Sequence, residues 1–168
     1  MTTTSVAIAT PLFAMLAVAA YMDFREHRIP NGLVFGGALV GLLAQSTLPA
    51  GGGLVFGVLG LVACLLCFLP LYIGGGMAAG DVKLMAAVGT FVGPWTGLLA
   101  CAVSLVIGAL IAGTSMRLGT ELRVFGRAFL VPGGTARGRI PYAVAIALGA
   151  ALVVLLPEPS VLHRAVWA

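Results

Sequence analysis

Two carboxylates stand at the borders of apolar stretches, and their type and placing make them the residues able to do chemistry. Asp23 ends the first apolar segment, Ser5 to Met22. Asp81 lies between the run Gly74-Gly75-Gly76-Met77-Ala78-Ala79-Gly80 and the apolar stretch Val82-Lys83-Leu84-Met85-Ala86-Ala87-Val88. An ionisable residue at membrane depth is costly to keep and marks a functional site by default. Two carboxyls that meet resist ionising together, so they share a proton and supply base and acid at once. That pair can hydrolyse a peptide bond with water, without metal or nucleophilic side chain. Glycine beside Asp81 lets the backbone approach a substrate strand closely. Each residue also has a plainer role. Asp23 can pair with Arg25 or His27 at the interface, and Asp81 can cap a helix starting at Val82. Lys83 reads as an anchor whose stem lies on apolar surface, and Glu26 as a solvated loop charge.

Other reactive sets lack support. Ser104 and Ser115 have no histidine near them for a Ser/His arrangement. His27 and His163 fall on opposite sides of the membrane, so they share no metal, and neither metal nor cofactor is expected. Gly74-Gly75-Gly76 lacks the spacing and the Lys-Ser/Thr ending of a phosphate-binding loop. Cys64 and Cys67 form a C-x-x-C, yet they and Cys101 sit in apolar runs that disfavour thiolates, which points to packing. No basic face with aromatic readers is present, so no nucleic-acid partner is expected.

The elements that must position the carboxylates follow from composition. With 61% hydrophobic and 8% charged residues and a mean hydropathy of +1.14, the chain is far from the roughly 25% charge of soluble domains. The 168 residues leave room for about six spans of roughly 20 residues and little else. The expectation is an all-α, polytopic membrane protein with residues 1–168 as one domain. The spans read Ser5 to Met22, broken only by Thr10-Pro11, then Gly32 to Ala44 or slightly beyond, Leu54 to Ile73, Val82 to Val92, Trp95 to Ser115 and Tyr142 to Leu156, with Gln45 to Gly53 an uncharged turn. Pro30 stops whatever helix reaches it, and Asn31 suits the cap of the next. Val82 to Val92 covers only about 17 Å of a roughly 30 Å core. Either its helix begins near Met77, or Asp81 lies in a hydrated hollow below the surface. Arg117 to Leu130 reads either as a helix lying in the interface or as a loop whose charges set topology. Of the 9 Lys and Arg residues, all but Arg164 fall in the loops after spans one, three and five. That bias puts those loops, with Asp23 and Asp81, on the cytoplasmic side and both termini on the other. The positive charges follow the first apolar segment rather than precede it, so it reads as a retained span and not a signal peptide.

Asp23 with Arg28-Ile29-Pro30-Asn31, then Gly80-Asp81-Val82-Lys83-Leu84, then Arg139-Ile140-Pro141-Tyr142-Ala143, resembles the type IV prepilin peptidases. The short form associated with tight-adherence (Flp) pili is most similar, and the likeness covers nearly the whole chain. It implies a polytopic aspartic protease of the G-x-G-D type in the bacterial inner membrane, removing the basic leader of prepilins or pseudopilins at the cytoplasmic face. It also implies that Asp23 and Asp81 take the catalytic roles, supported by Pro30, Asn31, Gly80 and Lys83, with the pilus assembly machinery and the bilayer as partners. Ala78 replaces the first glycine of the G-x-G-D pattern. The cysteine-rich region of the longer, N-methylating members is lacking, so peptidase activity without methyl transfer is expected. Two alternatives stand beside this reading: a proton- or ion-handling component with the acids as a relay, and an inactive scaffold of a pilus machine.

Overall fold

The computed structural model describes residues 3–26, 28–47, 52–117 and 142–155. Among them every regular element is helical: α1 (Thr3–Glu26), α2 (Asn31–Thr47), α3 (Leu54–Ile73), α4 (Ala79–Arg117) and α5 (Tyr142–Leu155). The expected interfacial segment beyond Arg117, the Arg139-Ile140-Pro141 helix start and His27 lie outside the described residues.

α1 continues through Pro11, where an interruption was expected, and on past Met22 to Glu26. Its flanks are rich in Ala, Leu and Met, good helix formers that carry the helix across the missing amide. α2 starts from the Pro30 carbonyl, which accepts the amides of Leu33 at 3.1 Å and Val34 at 3.4 Å. Asn31 therefore sits in the first turn and is not the cap the sequence predicted. α3 keeps the expected bounds and ends in glycine for a conformational reason. Gly76 N–H bonds the Leu71 carbonyl at 2.9 Å, and Gly75 N–H bonds that of Tyr72 at 3.0 Å. This is the Schellman pattern, and its left-handed residue is Gly75 at φ 73.

α4 is not one rod. Gly93 has φ 77 and ψ −177 and is followed by Pro94. A Cβ placed on Gly97 would lie 3.7 Å from Gly89 Cα and 2.6 Å from Cys64 Sγ. That same sulfur is 2.9 Å from a Cβ on Gly89. In a straight helix residues eight apart are separated by about 12 Å. The chain therefore doubles back at Gly93-Pro94, with glycine ending one helical arm and proline opening the next. We call residues 79–92 α4a and 94–117 α4b. The boundary expected between the fourth and fifth spans is this reversal, and the described residues form six helical rods.

The hairpin packs backbone to backbone on α3. Gly60 lies against the Gly89 carbonyl and against Gly93, and Cys64 fills the crook between Gly89 and Gly97. Small residues allow such close approach between membrane helices. α4a is the central rod: Val82, Leu84, Met85, Ala87, Val88 and Phe91 are all buried. Gln45 of α2 is buried too, contrary to its expected place in a turn. Its Nε2 donates to the Phe91 carbonyl at 2.6 Å, and its Oε1 accepts the Gly52 amide at 2.8 Å. Phe91 is one of the carbonyls that the break at Gly93-Pro94 leaves without a helical donor.

Leu54–Ile73 is long and apolar enough to cross a membrane, with a mean hydropathy of 2.7, and the stretch Ala79–Ile111, at 2.0, is apolar as well but is divided by the reversal at Gly93. The outer faces of α2 and α3 expose Phe35, Leu39, Leu43, Val55, Leu59 and Leu66, contiguous apolar surface that suits lipid rather than water. Trp95, beside the reversal, and Tyr21 and Tyr72, at the other end, are also exposed. That is the placing of interfacial aromatic belts.

Candidate active site

Asp23 lies in the last turn of α1, half-buried, and its Oδ2 accepts the backbone amide of Ala143 at 3.1 Å. The first amides of a helix have no helical acceptor, and a carboxylate there also meets the positive end of the helix dipole. The N-terminus of α5 thus holds Asp23. Arg25 is engaged elsewhere, donating from Nη1 to the Tyr21 hydroxyl at 2.9 Å.

Asp81 is reached from the other side. The Ala78 carbonyl accepts the amides of Asp81 at 3.1 Å and Val82 at 3.5 Å. α4a therefore begins at Ala79, two residues above the carboxylate, and Asp81 sits inside the first turn instead of capping it. Only 6% of its surface remains exposed. At 1.5 Å per residue α4a spans about 21 Å, still short of a bilayer core. Of the two options raised by the sequence, the first holds in part: the helix starts upstream of Asp81, at Ala79 and not at Met77. Gly60 facing Gly89 and Gly93 sets Asp81 near the level of Pro70, about one turn inside the end of α3.

Asp23 and Asp81 line a single cleft of about 480 Å³. Ile29, Tyr72 and Met77 give it apolar surface, and Arg28 and Lys83 bring positive charge to it. Asn31 and Gly80 line it as well, whereas Pro30 acts at one remove by starting α2. Lys83 is more than an anchor, since its Nζ donates to Asn31 Oδ1 at 3.2 Å and ties the first turn of α2 to α4a. A Cβ on Gly80 would meet Ile29 at 3.5 Å, ordinary contact. Glu26 is exposed, but it is the last residue of α1 and not part of the loop in which the sequence put it.

Sequence reasoning did not anticipate the Ala143 amide or the apolar wall of Ile29, Tyr72 and Met77. The Arg-Ile-Pro run before Tyr142 announced where a helix would start. No residue type announces which carboxylate its first amides will meet.

The rods, their apolar exterior and the acid-lined cleft define the class as a helical membrane protein with a pair of carboxylates in a common recess. The model of the type IV leader peptidase family matches residues 11–113, and the chain belongs to that family. The match takes in Asp23, Asp81 and the hairpin. No curated protein and no solved structure matches the chain. Membership makes this a membrane peptidase of the prepilin-leader type and implies prepilins as its substrates.

Proposed function

We propose that the protein is an aspartic endopeptidase that removes the basic leader of type IV, Flp-like prepilins at the cytoplasmic face of the inner membrane, without methylating the new terminus. The observation that carries this reading is that Asp23 and Asp81, from helices far apart in sequence, line one cleft. One carboxylate takes a proton from a water, which attacks the scissile carbonyl. The other gives its proton to the carbonyl oxygen, and the proton gained by the first then passes to the leaving amine. Which of them starts with the proton is a property of the pair. Six spans with both ends periplasmic place the cleft where a basic leader, held in the cytoplasm by its charge, meets the membrane. Pilus assembly components in the same membrane would receive the product.

Co-expression with an Flp-type prepilin tests this by the mobility shift of the processed form. Wild type should convert the substrate. Asp23→Asn and Asp81→Asn should each abolish nearly all conversion, and the double variant should be scarcely worse, because residues acting as a unit are strongly non-additive. If either Asn variant keeps more than a small fraction of wild-type cleavage at equal membrane level, that residue is not a catalytic carboxylate, and the relay reading takes its place.

A further inference from the structure

Tyr142 opens α5 one residue ahead of the amide that holds Asp23. It is half-buried, and a phenol in such a place keeps its ring in apolar packing while its hydroxyl seeks a polar partner. The ring is seated on α4b, where a Cβ on Gly108 would come within 2.5 Å of Cε2, Cζ and the hydroxyl oxygen. The hairpin fixes the depth of this contact. Because Gly97 faces Gly89, the two arms run in a register that sets Leu105 opposite Asp81 and Gly108 within one turn of it. The Tyr142 hydroxyl is thereby held within about one turn of the level of Asp81, within electrostatic reach of its carboxylate. Neither Tyr142 nor Ala143 falls in the stretch that matches the family.

We propose that the first turn of α5 is the frame that sets the two aspartates against each other: the Ala143 amide fixes Asp23, and Tyr142, seated on Gly108, is a positioning residue for Asp81. This inference rests on the peptidase reading, because it assigns Tyr142 a part in that reaction. Gly108 enters through the space it leaves for the ring. A side chain there displaces the phenol and with it the hydroxyl.

The test uses the full chain in liposomes with a prepilin substrate, and reads kcat and KM separately. Tyr142→Phe keeps the ring and removes the hydroxyl. It should lower kcat by roughly tenfold or more while KM stays within about twofold, the signature of misplaced catalytic groups. Gly108→Ala should act the same way, and the double variant should be no worse than the poorer single one, since both act through the same hydroxyl. Gly36→Ala, whose Cβ would meet nothing within 4 Å, should cleave like wild type. Three results overturn the inference: wild-type kcat in Tyr142→Phe, a loss confined to KM or to the amount of folded protein, or losses that multiply in the double variant. If Gly108→Ala does not accumulate, Tyr142→Phe decides alone. Full cleavage by Tyr142→Phe beside inactive Asp→Asn variants sinks this inference and leaves the peptidase reading standing. No cleavage by wild type sinks both.

Discussion

Gly80 shows what a single hydrogen in place of a methyl group does in this cleft. A Cβ there would sit in ordinary contact with Ile29, at 3.5 Å, so packing does not demand glycine there. Gly80→Ala should accumulate and melt like wild type in a thermal unfolding assay, and any cleavage it loses is then a loss inside the cleft. Lys83→Gln retains a donor for Asn31 and should keep more than half of wild-type cleavage, whereas Lys83→Leu gives up the tie between α2 and α4a. That bond is solvent-exposed, so its loss should cost about 0.5–1 kcal/mol in the same melting assay. At this scale the sequence shows residue types and hides partners. Asp23 and Asp81 stand out because carboxylates are costly beside apolar runs. The partner of Asp23 is a main-chain amide 120 positions later, and every residue but proline owns such an amide. Asn31 looked like a cap because its type suits one, yet the Pro30 carbonyl opens the helix and frees the Asn31 side chain for Lys83.

The helices were legible wherever apolar runs met Pro or Gly, and less so where tertiary contacts extended them. Leu54 to Ile73 was read to the residue, since Gly53 and the glycine run bound it on both sides. Gly93-Pro94 was legible as a boundary; that it reverses the chain is fixed by the contacts of Gly60, Cys64 and Gly97. Gln45 was misplaced because an amide side chain at a span end reads as loop, while here it satisfies a carbonyl orphaned by the hairpin. Two predictions belong to these elements. Gly75→Ala should destabilise the protein by roughly 1–2 kcal/mol, the cost of a Cβ in the left-handed region. Gly74→Ala and Gly76→Ala should cost less because neither has a left-handed φ, the tighter of the two being Gly74, whose Cβ would sit 3.3 Å from the Pro70 carbonyl. Gln45→Leu should cost about 1–3 kcal/mol, leaving the Phe91 carbonyl and the Gly52 amide unpaired. Thermal unfolding in detergent ranks all four variants.

At the scale of the molecule, charge and chemistry among the described residues gather at one end: Arg25, Arg28 and Lys83 share it with the cleft, while the Gly93 reversal and Trp95 mark the other. A reporter inserted near Gly134 should behave as cytoplasmic and one fused after Ala168 as periplasmic; the opposite pattern would put the cleft on the wrong side for a basic leader. The chemistry of the cleft bears on the substrate as well. A segment that stays helical keeps its scissile carbonyl bonded to the i+4 amide, so the carbonyl is not free to meet the acids that line the cleft. A strand leaves its carbonyl free of the i+4 amide. The segment around the scissile bond must therefore come out of its helix before it can be cut, and the helix propensity of the pilin should govern the rate. Glycine placed two to four residues beyond the scissile bond should raise kcat/KM, and alanine or leucine at the same positions should lower it. A pilin is then recognised by how readily it unwinds at one point.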